Sequence, residues 1–168
     1  RWGVTPAELT WLDPPPAAAY AQATELLTRL GALDERGVLT AHGQAMAELP
    51  AHPRIAHLLL RGQALGLGAL ACDLAALLGE RDILRGAGAD LHSRLALLGG
   101  AGKAARGSHR SAGQGGVQRA RQLARQFQGY LKRSPVSTPV ADPEHPRWLG
   151  ALLAFAYPDR VAQQRRAG

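Results

Sequence analysis

Apolar positions recur at helical spacing through most of the chain, separated by short polar or proline-containing stretches. The sharpest separation lies inside residues 39–60, where Pro50 and Pro53 bracket a two-residue break. Thr40 can cap the helix before this break, and Pro53 suits the first turn of the next helix. Residues 33–39 place a polar, glycine-containing turn between two apolar ends, as in a small β-hairpin. This order of elements predicts a winged-helix unit followed by a helical domain.

Apolar residues at helical spacing in the rest of the chain predict further helices. Most of the apolar residues are alanine and leucine, which favour helix over sheet. We therefore predict a mainly α fold, in which a degenerate winged helix with a tiny β-hairpin precedes a helical bundle. The predicted divisions are 1–52 for the winged-helix unit, 53–158 for the helical domain with a mobile glycine-rich loop at 99–116, and 159–168 for the start of a further, truncated element.

The segment from Val117 to Lys132 is the clearest amphipathic helix in the sequence. Its apolar side chains share one half of the helical wheel, so we expect the aromatic residues Phe127 and Tyr130 to lie in the core. A stripe of cations and amides on the other half can follow a nucleic-acid backbone and reach its hydroxyl groups. An ordinary solvated helix face remains the alternative. The stripe consists of Gln118, Arg121, Arg125, Gln128 and Lys132.

Charge is distributed unevenly along the chain. The net charge is +7, yet residues 1–90 carry seven basic and ten acidic groups, whereas residues 91–141 carry nine basic groups and no acidic group. Such a block attracts phosphates in a salt-dependent manner. A solvated basic linker would have the same composition, and the sequence leaves both interpretations open.

No recognisable catalytic or metal-binding motif is present. Gly102 and Lys103 suggest a phosphate loop, but the motif's first glycine and its final hydroxyl residue are missing. No two of the six histidines are four positions apart and none has a cysteine nearby, so we predict no metal-binding residue; we also predict no catalytic or cofactor-binding residue. The single cysteine, Cys72, excludes an internal disulfide and fits a reducing compartment. With no signal peptide and no apolar stretch of about 20 residues, we expect a cytoplasmic location.

Several short segments of the sequence resemble a known family. The resemblance is strong over residues 9–85, weaker over 90–145 and present again over 148–162. In this order and spacing the segments resemble bacterial DEAH-box (RHA-type) ATP-dependent helicases of the HrpB kind. The segments are WLDPPP at 11–16, LLTRLGALD at 26–34, LTAHG at 39–43, MAELP at 46–50, HPRIA at 52–56, CDLAALL at 72–78, ERDIL at 80–84 and AYPDR at 156–160.

The resemblance implies a helicase-associated segment, in which a degenerate winged helix precedes a helical "ratchet" domain. In that family the segment follows two RecA-like domains and precedes a small OB-like barrel. ATP and Mg²⁺ would bind in the RecA-like domains of the parent protein, so no catalytic residue can be transferred to this chain. The implied partners are single-stranded nucleic acid, with RNA favoured over DNA, and the RecA-like and OB-like domains of the same parent chain; no membrane is implied.

The sequence therefore predicts a non-catalytic module that lines the single-strand channel of an ATP-dependent helicase and couples it to the motor domains. The alternatives are a helical protein-interaction scaffold and an independent winged-helix nucleic-acid binder. The latter would need basic residues on the helix that follows Thr40, which the sequence lacks. The candidate nucleic-acid contacts, chosen by charge and position, are Arg81, Arg85, His92, Arg94, Arg121, Arg125 and Lys132.

Overall fold

A computed structural model describes residues 6–80, 90–99, 114–132, 134–136 and 138–162 of the 168-residue chain. Regular structure in these ranges is helical apart from one isolated β-bridge, which confirms the predicted mainly α fold. No helix among the described residues has the length and apolar character needed to cross a bilayer. The α-helices are α1 (Ala17–Arg29), α2 (Ala41–Ala47), α3 (Pro53–Ala64), α4 (Gly68–Gly79), α5 (Leu91–Leu98), α6 (Gln114–Leu131) and α7 (Arg147–Ala156).

The chain forms two units, of which the first contains Arg1–His57 and Ala154–Gly168. Its predicted hairpin is reduced to one antiparallel bridge between Leu33 and Leu39. The Asp34 carboxylate closes the turn, because it accepts hydrogen bonds from the main-chain N–H groups of Arg36 and Val38 at 2.9 and 2.7 Å. This is the tiny hairpin of a degenerate winged helix.

The start of α2 is fixed by the threonine that the sequence singles out. The Thr40 hydroxyl accepts a hydrogen bond from the N–H of Gly43 at 2.9 Å, and so caps the helix as predicted. A Cβ at Gly43 would lie 2.1 Å from the carbonyl oxygen of Ala32. Only glycine therefore allows α2 to approach the hairpin this closely. The buried apolar residues of this unit are Leu30, Ala32, Met46, Leu49, Ala56 and Ala156.

The C-terminal part of the first unit is attached to the start of α3. Arg54 donates hydrogen bonds to both carboxylate oxygens of Asp159, with 2.9 Å between Nη2 and Oδ2, and to the carbonyl oxygen of Ala156 at 3.0 Å. Residues 154–162 belong to the first unit, whereas the sequence analysis assigns 159–168 to a separate element. The domain boundaries at residues 52 and 158 stay predictions.

The second unit contains Leu58–Leu153, and in it α4 packs against both α5 and α6. A Cβ at Gly62 would lie 2.5 Å from the Cβ of Ala71, so α3 and α4 approach closely at this glycine. The buried apolar residues of this unit are Leu58, Leu59, Leu67, Ala71, Cys72, Leu74, Ala75, Ala76, Leu98, Ala120, Ala124, Phe127, Leu131, Leu149 and Leu152.

Two predictions about α6 need correction. The helix begins at Gln114, so the last residues of the predicted loop 99–116 are helical, while residues 100–113 lie outside the described residues. Phe127 is buried as predicted, but Tyr130 is 50% exposed and does not belong to the core. With about 100° of rotation per residue, Tyr130 lies about 90° from the centre of the buried face. It therefore lies at the border of that face.

Candidate nucleic-acid interface

Helix α6 separates its apolar residues from its charged residues. Ala120, Ala124, Phe127 and Leu131 are buried and follow one another at intervals of three and four residues, so they form one face. Arg125 lies nearly opposite this face and is exposed. The predicted stripe lies on the side of α6 away from the core, and its members differ in exposure and in hydrogen bonding.

Four members of the stripe form what we call the exposed edge of α6. All four side chains are exposed, and none of them has a hydrogen bond or ion pair with any described residue. Cations and amides with uncommitted donors are suited to phosphate and ribose oxygens. The exposed edge of α6 consists of Gln118, Arg125, Gln128 and Lys132.

Arg121, the remaining member of the stripe, is half-buried and bonded to a neighbouring helix. Its Nε donates to the carbonyl oxygen of Leu98 at 3.1 Å, and its Nη2 donates to that of Leu97 at 2.7 Å. These carbonyl groups end α5, where no main-chain N–H of the helix is left to bond them. Arg121 therefore caps α5, a structural contact that the helical wheel alone does not show.

Helix α5 holds two of the predicted contacts in different environments. Arg94 is buried, and its Nη1 donates to the carbonyl oxygen of Asp90 at 2.9 Å. His92 is exposed, but its Nδ1 lies 3.3 Å from the Asp90 carboxylate. Hydrogen bonds from the Ser93 hydroxyl and from the main-chain N–H groups of His92 and Ser93 lower the pKa of Asp90 to about 2. The carboxylate beside His92 is therefore negatively charged at neutral pH, which disfavours a phosphate there.

Of three further arginines, one is paired and two lie outside the described residues. Arg119, on the border of α6, donates from Nε to the Glu80 carboxylate at 3.2 Å. The predicted contacts Arg81 and Arg85 lie outside the described residues, so their assignment stays a prediction. The structure thus brings Arg125 and Lys132 together on one edge, and it gives Arg94 and Arg121 partners inside the second unit.

The sequence analysis missed two side-chain clusters of the first unit. The ring of Tyr157 lies near two guanidinium groups, with its centroid 5.2 Å from Arg54 and 5.3 Å from Arg160. The Nε2 of His42 lies 2.8 Å from the Nδ1 of His57. His42 and His57 are 15 positions apart, and Arg54 is still further from Tyr157, so no local spacing indicates these two pairs. Among the described residues no group of three or more His, Cys, Asp or Glu side chains is arranged to hold a metal ion.

Comparisons with known proteins agree with the fold. The winged-helix model of the helicase-associated domain (HA2) matches residues 23–51. The chain is 35% identical over 167 residues, 98% of its length, to the ATP-dependent RNA helicase HrpB of Escherichia coli K12. It is also 33% identical over 75 residues to the probable ATP-dependent RNA helicase DHR2 of Saccharomyces cerevisiae, which covers 45% of the chain and 10% of that protein.

Solved structures show the same relationship. A crystal structure of the Escherichia coli DEAH/RHA helicase HrpB matches 98% of this chain with a TM-score of 0.65 and 30% identity, and the match covers 18% of the HrpB chain. This chain spans 17% of the length of the curated HrpB sequence. The chain therefore belongs to the HrpB-like DEAH-box (RHA-type) helicase family and represents its helicase-associated, winged-helix-containing region.

Proposed function

We propose that this chain lines the single-strand channel of an ATP-dependent RNA helicase and couples that channel to RecA-like motor domains of the same parent protein. The observation that carries the proposal is the exposed edge of α6, whose cations and amides have no carboxylate partner among the described residues. The relatives that match the chain are RNA helicases, which favours RNA as the strand.

The arrangement of the exposed edge suits a nucleic-acid backbone. Arg125 and Lys132 are seven residues apart, which corresponds to about 10 Å along the axis of α6. Gln128 lies between them and can bond a ribose hydroxyl, the group that distinguishes RNA from DNA. Two phosphate contacts would make the binding weaken with salt, with a slope of log K against log salt of about −1.4 on a single strand.

The winged-helix unit suits packing better than groove reading. Helix α2 contains no lysine or arginine, and its Gly43 and Met46 are buried. Helix α1 has no buried residue, and Tyr20 on it is 50% exposed. We infer that α1 offers a surface for the motor domains. ATP and Mg²⁺ would bind in those domains, since this sequence has no phosphate-loop motif.

Fluorescence anisotropy with a labelled single-stranded RNA at two salt concentrations tests the proposal. The double variant Arg125→Glu with Lys132→Glu should lose most of the affinity and most of its salt dependence. Arg36→Glu is the matched control for Arg125→Glu, because Arg36 is also exposed and its side chain has no hydrogen bond or ion pair with a described residue; only its main-chain N–H is bonded, to the Asp34 carboxylate. It makes the same charge change in the first unit, and it should bind within about twofold of the wild type.

The result also separates the alternatives. If the double variant binds RNA as the unmodified chain does, the exposed edge of α6 does not contact the strand and the channel role is wrong. If neither the unmodified chain nor the double variant binds RNA, the chain is a helical protein-interaction scaffold, and the exposed edge is simply a solvated helix face.

A further inference from the structure

The second unit contains a cavity of about 240 Å³ beside the exposed edge of α6. Cys72 and Leu131 are buried and form its floor, whereas Ala69, Gln128 and Lys132 are exposed and form its rim. The cavity therefore opens to solvent where two polar side chains of the exposed edge end.

We infer that this cavity accepts one unstacked base of a single-stranded RNA whose backbone follows the exposed edge of α6. The inference rests on the proposed function and adds a base site to its phosphate contacts. Pockets for drug-sized ligands measure roughly 300–1,000 Å³, so a smaller cavity suits a single ring system. Its volume of about 240 Å³ is therefore suited to a base with the sugar and phosphate outside.

The rim offers the polar groups that such a ligand needs. The Gln128 amide has both a donor and an acceptor, the combination with which glutamine pairs to base edges. It has no hydrogen bond with any described residue, whereas the amide nitrogen of Gln63, which also lines the cavity, donates to the carbonyl oxygen of Ser134 at 3.0 Å. Gln63 is thus held in place while Gln128 is available. Lys132, one turn further along α6, is placed for the adjoining phosphate.

The floor offers an uncharged apolar surface for the faces of the base. Leu131 contributes carbon atoms from the floor and Ala69 from the rim, and the small side chain of Cys72 lies buried beneath them. Burial and, to a lesser extent, the carboxylate of Asp73 raise the pKa of the Cys72 thiol to about 12, so it is neutral at physiological pH. A neutral floor beneath a cationic rim fits a nucleotide, whose base is apolar on its faces and whose phosphate is an anion.

The test measures how tightly the 168-residue chain binds each of two single strands. One strand is a 12-nucleotide adenosine RNA, and the other has the same backbone with abasic positions, so they share phosphates and differ in bases. By fluorescence anisotropy the unmodified chain should bind the base-bearing strand about fivefold or more tightly than the abasic strand, as expected for one well-placed base contact. Ala69→Leu should fill the cavity and reduce this ratio to near one, while affinity for the abasic strand is kept.

Two further variants make the experiment decisive. Gln128→Ala removes the rim amide from an exposed position, so it should fold and should also reduce the ratio; it decides the matter if Ala69→Leu does not fold. Ala96→Leu adds the same atoms to another exposed helical alanine and should leave the ratio unchanged. Circular dichroism monitors folding of each variant.

Each outcome supports or overturns the inference. Equal binding of the two strands by the unmodified chain overturns the base site and leaves the phosphate contacts of the proposed function standing. A base preference that survives both Ala69→Leu and Gln128→Ala also overturns it, because the bases are then recognised elsewhere. Absence of binding to either strand contradicts the proposed function and the base site together.

Discussion

Replacement of Arg121 by alanine should destabilise the second unit, even though Arg121 lies on the cationic stripe of α6. In the structure the guanidinium group donates to two main-chain carbonyl oxygens, those of Leu98 at 3.1 Å and Leu97 at 2.7 Å. Both acceptors belong to the last turn of α5, where helical carbonyl groups have no partner within their own helix. The substitution removes both bonds at once.

The magnitude follows from the kind of bond that is lost. A hydrogen bond to a charged group contributes roughly 1.5–3 kcal/mol, but water can reach part of this half-buried site and replace some of the loss. We therefore expect Arg121→Ala to reduce the free energy of unfolding by about 1–2 kcal/mol in total. For a chain of this size that corresponds to a fall in Tm of about 2–8 °C.

Thermal and urea unfolding followed by circular dichroism measure this effect. Arg125→Ala is the matched control, because Arg125 lies on the same helix, is exposed and has no partner among the described residues. It should change the free energy of unfolding by less than about 0.5 kcal/mol. If the two variants unfold alike, Arg121 does not support α5, and our distinction between structural and exposed cations of α6 is wrong.

Three further predictions concern particular side chains. Gly43→Ala should cost about 1–3 kcal/mol of stability in urea unfolding because its Cβ would collide with a main-chain oxygen, whereas Gly129→Ala, with open space around it, should stabilise by about 0.5–1 kcal/mol. Hydrogen bonds from Arg54 lower the pKa of Asp159 from 3.8 to about 2. This contribution to stability is complete above about pH 4 and lost as the pH falls toward 2. The free energy of unfolding of Asp159→Asn should therefore fall less between pH 4 and pH 2 than that of the unmodified chain. Cys72, fully buried, should react with Ellman's reagent at pH 8 only after unfolding in urea.

Each of these expectations has a clear contrary result. Equal stabilities of the two glycine variants would mean that α2 can move away from the hairpin at little cost. An unchanged pH profile of the asparagine variant would mean that the ion pair is absent in solution. Rapid reaction of the thiol in the native chain would contradict its burial.

The sequence predicts the elements that depend on neighbouring residues. The cap at Thr40 and the break between α2 and α3 are both present, because each depends on residues within a few positions. The hairpin is correct in place but reduced to one bridge. The local patterns also predict the order of winged helix and helical region, and the family resemblance implies the same order.

The hydrogen-bond partners and burial of the predicted nucleic-acid contacts depend on tertiary packing, so they could not be deduced from neighbouring residues in the sequence. A helical wheel places Arg121 and Arg125 on the same side of α6, but only the position of α5 determines that the first caps a helix while the second is exposed. The pair Arg54 and Asp159 is separated by 105 positions, and no periodic pattern connects residues so distant. The error at Tyr130 has the same origin, since a residue at the border of a helical face is buried only if a neighbour covers it.

Under the proposed function, the two kinds of arginine on α6 would contribute to RNA binding in different ways. Two carbonyl oxygens accept hydrogen bonds from Arg121 but do not cancel its charge, and no carboxylate pairs with it among the described residues. Its charge therefore still adds to the field that draws an anionic strand toward the second unit. Arg125 adds to the same field and also keeps its donors for a phosphate. The charges in the sequence thus predict that an anionic strand is attracted. The packing of α5 against α6 determines which of the cations has donors left to bond a phosphate.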